Sequence, residues 1–518
     1  MPRSLRIILF LLLLGVLLPA PARAQTVPTP TWMTYIAYYN PRTEIPETPD
    51  RMTVVYYKPD GSDIPTNIDL PFGGGPHISG RVFVGNTLHN PGFRGSVVIS
   101  STSPVVAMYR EIAEGEDAFS PILYNSFSVL DAGGGKFYIP FVQKSGAFDP
   151  MIGIQNVESV PITVELTFYP AGGGAIDIDE PFRDIEAQAS AVYLGSELGL
   201  GATFEGAMVV EAIIKDSVPA EPGRIVAAVR QAQSGGRRAF AYEGFSGGAG
   251  AVFMPAAMCN VGTGGMTVYY EVQNTGEAST EVEVDYYNTN PAEPPGNLIA
   301  TQTLGSLAPG SRLQVDPCQV DGMNGRSVSA VIRASSPDGQ VAAVGRAVSQ
   351  DGLMTAFSGQ IMMDPDMYGF GCTASDPEYP DNCTYRVIVP YVEYSTRSTG
   401  WRTYLSIQNI LNIPEKPEVN YAANIQVRYY GQDGSLIGTH YLATDENDNT
   451  RLMPYAKRSS DPTFANVIDP SSQGFIGAVE VVSDRPVAVL ARIQRPVSVP
   501  NYALVGEDYT GMYLINEE

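Results

Sequence analysis

The residues best suited to chemistry are few and scattered. Gly244-Phe245-Ser246-Gly247-Gly248 matches the G-x-S-x-G of a hydrolase nucleophile elbow, in which a strand-to-helix turn presents the serine to a histidine and an acid. Here it lies in a glycine-rich stretch between β-rich runs, and the histidines, His77, His89 and His440, are distant in sequence. The expected role is a linker, with no catalytic residue. His77 and His89 share a loop-rich region with no evident third ligand, so they read as surface loop residues rather than a zinc site. Asp445 and Asp448, in the run Asp445-Glu446-Asn447-Asp448-Asn449, offer hard oxygen ligands to calcium but lack the glycine and distal glutamate of an EF-hand loop. Asp177, Asp179, Glu180 and Asp184 form a second acidic cluster of the same kind. Calcium aside, no cofactor is expected.

The four cysteines are expected to pair as Cys259 with Cys318 and Cys372 with Cys383, because each pair falls within its own segment of an exported chain. The 29 tyrosines could supply stacking faces for sugars. Tyr57, Tyr169, Tyr287 and Tyr430, however, recur at equivalent places, and a residue repeated in each copy of a unit is framework before it is ligand contact.

That repetition organises the chain. WMTYIAYYN at 32–40 returns as FDPMIGIQN at 148–156, MTVYYEVQN at 266–274 and WRTYLSIQN at 401–409. Each copy starts on a large apolar residue (Trp32, Phe148, Met266, Trp401), alternates in the manner of a half-buried strand, and closes on Asn40, Asn156, Asn274 or Asn409. A second ruler, Arg110, Arg230, Arg346 and Arg492, ends a later strand and moves nearly in step with the first, apart from an expanded fourth unit. The asparagines are expected to bond loop backbone at a strand end. The arginines should lay their stems over a sheet and pair with an acid or a carbonyl. Trp401 is expected between two sheets, where truncation to alanine would cost roughly 3–5 kcal/mol.

Closely spaced β-runs separated by Gly, Pro, Asn and Asp predict an all-β protein, a tandem array of four immunoglobulin-like antiparallel β-sandwich domains at 25–136, 137–250, 251–360 and 385–518. A disulfide-bracketed linker fills 361–384. Each domain has enough apolar sequence for its own core and is expected to fold independently. Pro140 and Pro255 open two of the domains within strands and Pro390 a third; a strand proline marks a sheet edge. The first domain lacks a clear opening strand.

Arg3 and Arg6, the apolar run Ile7–Leu18 and the triplet Ala22-Arg23-Ala24 read as a signal peptide over 1–24. The run is shorter than a bilayer span of roughly 20 residues, and the terminal YLINEE carries no apolar anchor, so no transmembrane segment is expected in the mature chain. A net charge of -23 disfavours nucleic-acid partners, which require a basic footprint. The pattern of a strand proline, WRTYLSIQN, Tyr429 to Gly434, Gly477 to Val481, Pro486 to Arg492 and Tyr509 to Gly511 resembles the tandem immunoglobulin-like and fibronectin type III-like modules of bacterial secreted and cell-surface proteins. The resemblance implies a non-enzymatic protein, secreted or held at the cell surface or in the matrix, with an adhesive, structural or spacer role. Its partners would be a surface protein, a polysaccharide or a second copy of the chain; the alternative is a carbohydrate-binding surface protein.

Overall fold

The computed structural model describes residues 31–515 except 46–50, 65–67, 72–74, 85–94, 115–119, 128–132, 172, 179, 234–237, 263, 290–295, 351, 363–367, 371–382, 398–399, 412–421, 443–450, 465–473 and 500–501. The chain is built of antiparallel sheets, with one short 3₁₀ turn at Pro317–Gln319 among the described residues. The alternating runs become strands with one face inward: in Ile162–Pro170 and Thr280–Tyr287 every second side chain is buried at the start of the strand, as a pleat of period two requires.

One strand order recurs. In the second repeat the strands are Lys136–Lys144, Phe148–Asn156, Ile162–Pro170, Phe182–Ile185, Ser190–Leu194, Phe204–Ile214, Arg224–Gln233 and Ala239–Glu243. They form one sheet in the order fourth, third, sixth, first and another in the order fifth, second, seventh, eighth. The third repeat repeats both orders with Ala251–Met258, Thr267–Asn274, Thr280–Tyr287, Leu298–Leu307, Arg312–Val315, Ser327–Ala334, Val341–Val348 and Met354–Ser358. So does the fourth, with Thr384–Tyr394, Arg402–Asn409, Ile425–Gly431, Leu436–Tyr441, Lys457–Ser460, Phe475–Ser483, Val487–Val499 and Tyr502–Thr510. There the two sheets are also joined through the Tyr394 and Arg402 pairing of a hairpin.

The first repeat has Thr31–Tyr39, Arg51–Tyr57, Ile68–Pro71, Ser79–Phe83, Ser96–Ser101, Val106–Glu114 and Ile122–Asn125. These are strands two to eight of the common order. Among the described residues no first strand lies beside Ser96–Ser101, whose ladder partner is Arg51–Tyr57.

Pairing of second with fifth and third with sixth strands is the central crossing of an immunoglobulin sandwich. The outer strands depart from it. The first strand sits beside the sixth, where an immunoglobulin fold keeps its last strand, and the seventh sits beside the second, where that fold keeps its first. Turn signals mark where strands begin and end; partner choice depends on long-range packing, which they do not encode.

The strand prolines have a local effect that goes beyond marking an edge. The ladder slips beside Pro140, between Ile139 and Val142; beside Pro255, between Met254 and Ala257; and beside Pro390, between Val389 and Val392. Proline offers no N–H, so the ladder breaks there, and a bulge redirects the side chain that follows. Those side chains are Phe141, Ala256 and Tyr391.

The repeats are not independent bodies. The core of the second repeat includes Val344, Met354 and Ala356 of the third, the core of the third takes in Leu490 of the fourth, and the core of the fourth contains Ala37, Met108 and Leu123 of the first. Ile122 of the first repeat clusters with Ala239 and Ala241 of the second. The sequence of contacts therefore returns to its start, and the array is a closed ring of four. Independent folding was the expectation from the size of each unit, but apolar residues that lie outside each sandwich are buried by its neighbours.

Candidate functional site

The four eighth strands meet at the centre of the ring, and equivalent residues bond around it. Asn125, Glu243, Ser358 and Thr510 each follow the aromatic residue of their strand (Tyr124, Tyr242, Phe357, Tyr509). Asn125 Nδ2 donates to Thr510 O at 2.7 Å, Thr510 Oγ1 to Ser358 O at 2.7 Å and Ser358 Oγ to Glu243 Oε2 at 2.7 Å. The Asn125 N–H closes the circuit on Glu243 Oε1 at 2.5 Å.

The repeated motif residues divide between holding their own loop and holding the next repeat. Asn274 is fully buried; its Nδ2 donates to Ala278 O and Leu307 O, both at 2.8 Å, and its Oδ1 accepts from the Gly276 N–H at 2.9 Å. Asn156, Asn409 and Asn40 accept in the same way from Glu158, Leu411 and Arg42 N–H. Asn274→Ala strands these loop groups and should cost about 1–3 kcal/mol in a denaturant melt; an unchanged midpoint would show the loop is held by other contacts.

In the third and fourth repeats the glutamine before the asparagine reaches outward. Gln273 Nε2 donates to Met208 O at 3.2 Å and Gln408 Nε2 to Ala330 O at 3.3 Å, so each crosses to the preceding repeat. WRTYLSIQN is thus a joint between repeats as well as a strand.

The four arginines lie at these joints. Arg346 stacks over Phe141 of the second repeat at 4.1 Å, Arg110 over Tyr391 of the fourth at 4.8 Å, and Arg492 lies against the Met258 and Met266 sulfurs of the third. Arg230 stacks on Trp32 of the first repeat at 4.9 Å. Each has an acid: Arg110 with Glu507 at 2.6 Å, Arg230 with Glu111 at 2.8 Å, Arg346 with Glu271 at 2.6 Å and Arg492 with Asp508 at 2.5 Å.

Trp401 was expected between sheets; it is instead partly buried at the joint of the fourth and first repeats, flanked by Arg110 at 5.3 Å and Arg495 at 4.8 Å. Its neighbours are cations and one rim of the core, so Trp401→Ala should cost about 1–2 kcal/mol and leave the fourth repeat folded by circular dichroism. Loss of all fourth-repeat structure would restore the core reading.

Comparing the joints on the asparagine ruler exposes one that is chemically odd. Between the second and third repeats Glu271 is fully buried and takes Arg312 Nη1, Gln314 Nε2 at 3.0 Å and Arg346 Nε at 2.8 Å. Arg312 also meets Glu205 at 2.5 Å. Two cations face two carboxylates. Between the third and fourth repeats Lys457, paired with Gln408 as Arg312 is with Gln273, occupies the arginine position. Ser406 stands where Glu271 does, two residues before the motif glutamine, and Ser327 where Glu205 does, three residues before Ala330 and Met208. Lys457 Nζ donates to Ser327 Oγ at 3.0 Å and the lysine is 5% exposed.

Burial, with Arg492 nearby, pushes the Lys457 amine down to about 7. Between about pH 7 and the lysine's ordinary value near 10.4 the unfolded chain holds a proton the folded chain has released, so stability rises with pH across that window. Lys457→Met should melt higher than the parent at pH 6 and converge with it by pH 10; parallel curves would place the amine in water.

No protein-family model and no curated protein matches this chain. The arrangement is therefore read on its own chemistry.

The remaining candidates are dispersed. Ser246 is exposed in a strand-to-strand connection, and the preceding Phe245 pairs with Tyr138, so the turn is not an elbow onto a helix. His77 stacks on Tyr430 at 4.1 Å and accepts or donates to Tyr39 Oη at 2.6 Å, while His440 stacks on Phe464 at 5.0 Å. Asp184 is tied to Lys215 at 2.6 Å. His89, Asp179, Asp445, Asp448 and Cys372 lie outside the described residues. Cys259 is bonded to Cys318, and Cys383 is disulfide-bonded. Among the described residues no three of His, Cys, Asp and Glu cluster as metal ligands, and no helix is long and apolar enough to cross a membrane.

The sequence reading missed Lys457, Ser327, Ser406, Gln273 and Gln408. Aligning the repeats on their asparagines would have set Ser406 against Glu271 and exposed the change of charge.

Proposed function

We propose that the chain is an exported, non-enzymatic protein of the cell surface or extracellular matrix, in which four immunoglobulin-like sandwich repeats close into a rigid scaffold with an adhesive or structural role. The observation that carries this reading is the use of the repeated polar residues: Gln273, Gln408, the four arginines and the central ring of Asn125, Glu243, Ser358 and Thr510 bind repeat to repeat. A molecule whose recurring polar chemistry fixes its own shape presents its variable loops at fixed positions. The leader over 1–24 and the dispersed acidic surface support export. A ring supports presentation of loops better than it supports a spacer role, because closure forfeits reach.

Cell fractionation tests the reading. Protein retained in the washed envelope or matrix is expected; protein free in the medium with ester or glycoside turnover lost in Ser246→Ala would overturn it. The carbohydrate-binding reading draws on exposed aromatics outside the framework, Phe182, Tyr441 and Phe464. Polysaccharide pull-down abolished by alanine at these residues would favour it.

A further inference from the structure

The odd joint holds a half-open cavity of about 350 Å³ between the third and fourth repeats, lined by Ala256, Ser327, Ser406 and Arg492, with Met258 and Leu490 as its apolar wall. Its origin is visible in the repeat. At the joint between the second and third repeats Phe141 and two glutamates fill the equivalent space. Here the residue after the strand proline is Ala256 and both glutamates are serines. The ring is gone, the carboxylates are gone, and the two cations remain.

The charges around the cavity do not balance. Arg492 is neutralised by Asp508, which also accepts from Thr355 Oγ1 at 2.6 Å. Lys457 stands behind the cavity wall, its amine on the lining Ser327 Oγ, with that hydroxyl in place of an acid. Gln494 also lines the space. A buried cation lacking a counter-charge is unfavourable unless an anion joins it. The two hydroxyls of Ser327 and Ser406 would complete the bonding of such an anion.

We propose that this cavity is a binding site for a small carboxylate with a short apolar body, the carboxylate taking the place that Glu205 and Glu271 hold one joint earlier and the body lying against Met258 and Leu490. The ligand would join the third and fourth repeats through the lining hydroxyls Ser327 and Ser406, with Lys457 behind Ser327 supplying the positive charge. The neighbouring joint does the same with its own side chains, so the ligand stands in for part of the protein.

Calorimetric titration of the mature chain at pH 6, where Lys457 carries its proton, tests this with hexanoate, 1-hexanol and inorganic phosphate. Hexanoate is expected to bind and to raise the melting temperature. Lys457→Met should weaken it at least tenfold. Ser406→Glu, which returns the carboxylate of the neighbouring joint, should abolish binding while melting no lower than the parent, and so separates loss of the site from loss of the fold. Absence of hexanoate binding at millimolar concentration would overturn the proposal. Equal binding of 1-hexanol would reduce the cavity to an apolar void, and equal binding of phosphate would remove the carboxylate preference. Hexanoate binding unchanged in both variants would place it elsewhere.

Discussion

Glu271→Ala is expected to destabilise the protein by roughly 3–5 kcal/mol, because removing one partner of a buried ionic network leaves the others charged and unpaired. Glu271 has no exposed surface and accepts from Arg312, Gln314 and Arg346. Without it Arg346 keeps its stacking on Phe141 but loses its acid, and Arg312 keeps only Glu205, whose side chain is 44% exposed. With the carboxylate gone, the joint between the second and third repeats must open or admit water. Denaturant unfolding monitored by fluorescence and circular dichroism measures the loss. A shift below about 1 kcal/mol, the level of a surface pair, would show that the network is solvated.

Arg110→Leu is the second large effect, and it acts where the ring closes. Arg110 of the first repeat meets Glu507 of the fourth with side chains 6% and 1% exposed, and its Nη1 donates to Tyr391 Oη at 3.1 Å. Burial raises the Glu507 carboxyl to about 7, against the opposing pull of Arg110. The folded chain therefore holds a proton that the unfolded chain has lost between the ordinary glutamate range and about 7, so this group's contribution falls as pH rises through that window. Removing Arg110 takes away the pull that favours the charged form. The expected loss is roughly 3–5 kcal/mol at pH 8 and clearly smaller at pH 5, where Glu507 is protonated. Denaturant midpoints at both values measure it. An equal loss at the two would mean that Arg110 contributes packing alone, and recovery in Arg110→Leu with Glu507→Leu would confirm that the penalty is the stranded carboxylate.

What could be read from the chain follows from the range of each signal. Strands such as Ile425–Gly431 and Thr280–Tyr287 declare themselves because alternation is local and the pleat repeats every two residues. Pro140, Pro255 and Pro390 announce a broken ladder for an equally local reason, the missing N–H. Partner choice is not local. Lys136–Lys144 lies beside Phe204–Ile214 instead of in the other sheet, a pairing across about 60 residues that no short stretch encodes. The same holds for Trp401, which reads as core because it opens a buried strand, yet stands at a joint because Arg110, some 290 residues away, reaches it from the first repeat. Lys457 was legible only by comparison: alone it is a lysine in a short strand, and beside Arg312 it is a cation that has lost its acids.

Closure of the ring is the central claim, and small-angle scattering from the mature chain tests it most directly. A closed body of about 490 residues should give a radius of gyration of about 23 Å, whereas four sandwiches strung end to end would give roughly 40 Å. A value near 23 Å that grows in Arg110→Leu at pH 8 is the predicted result. A value near 40 Å for the parent would contradict the ring and return the protein to an extended array.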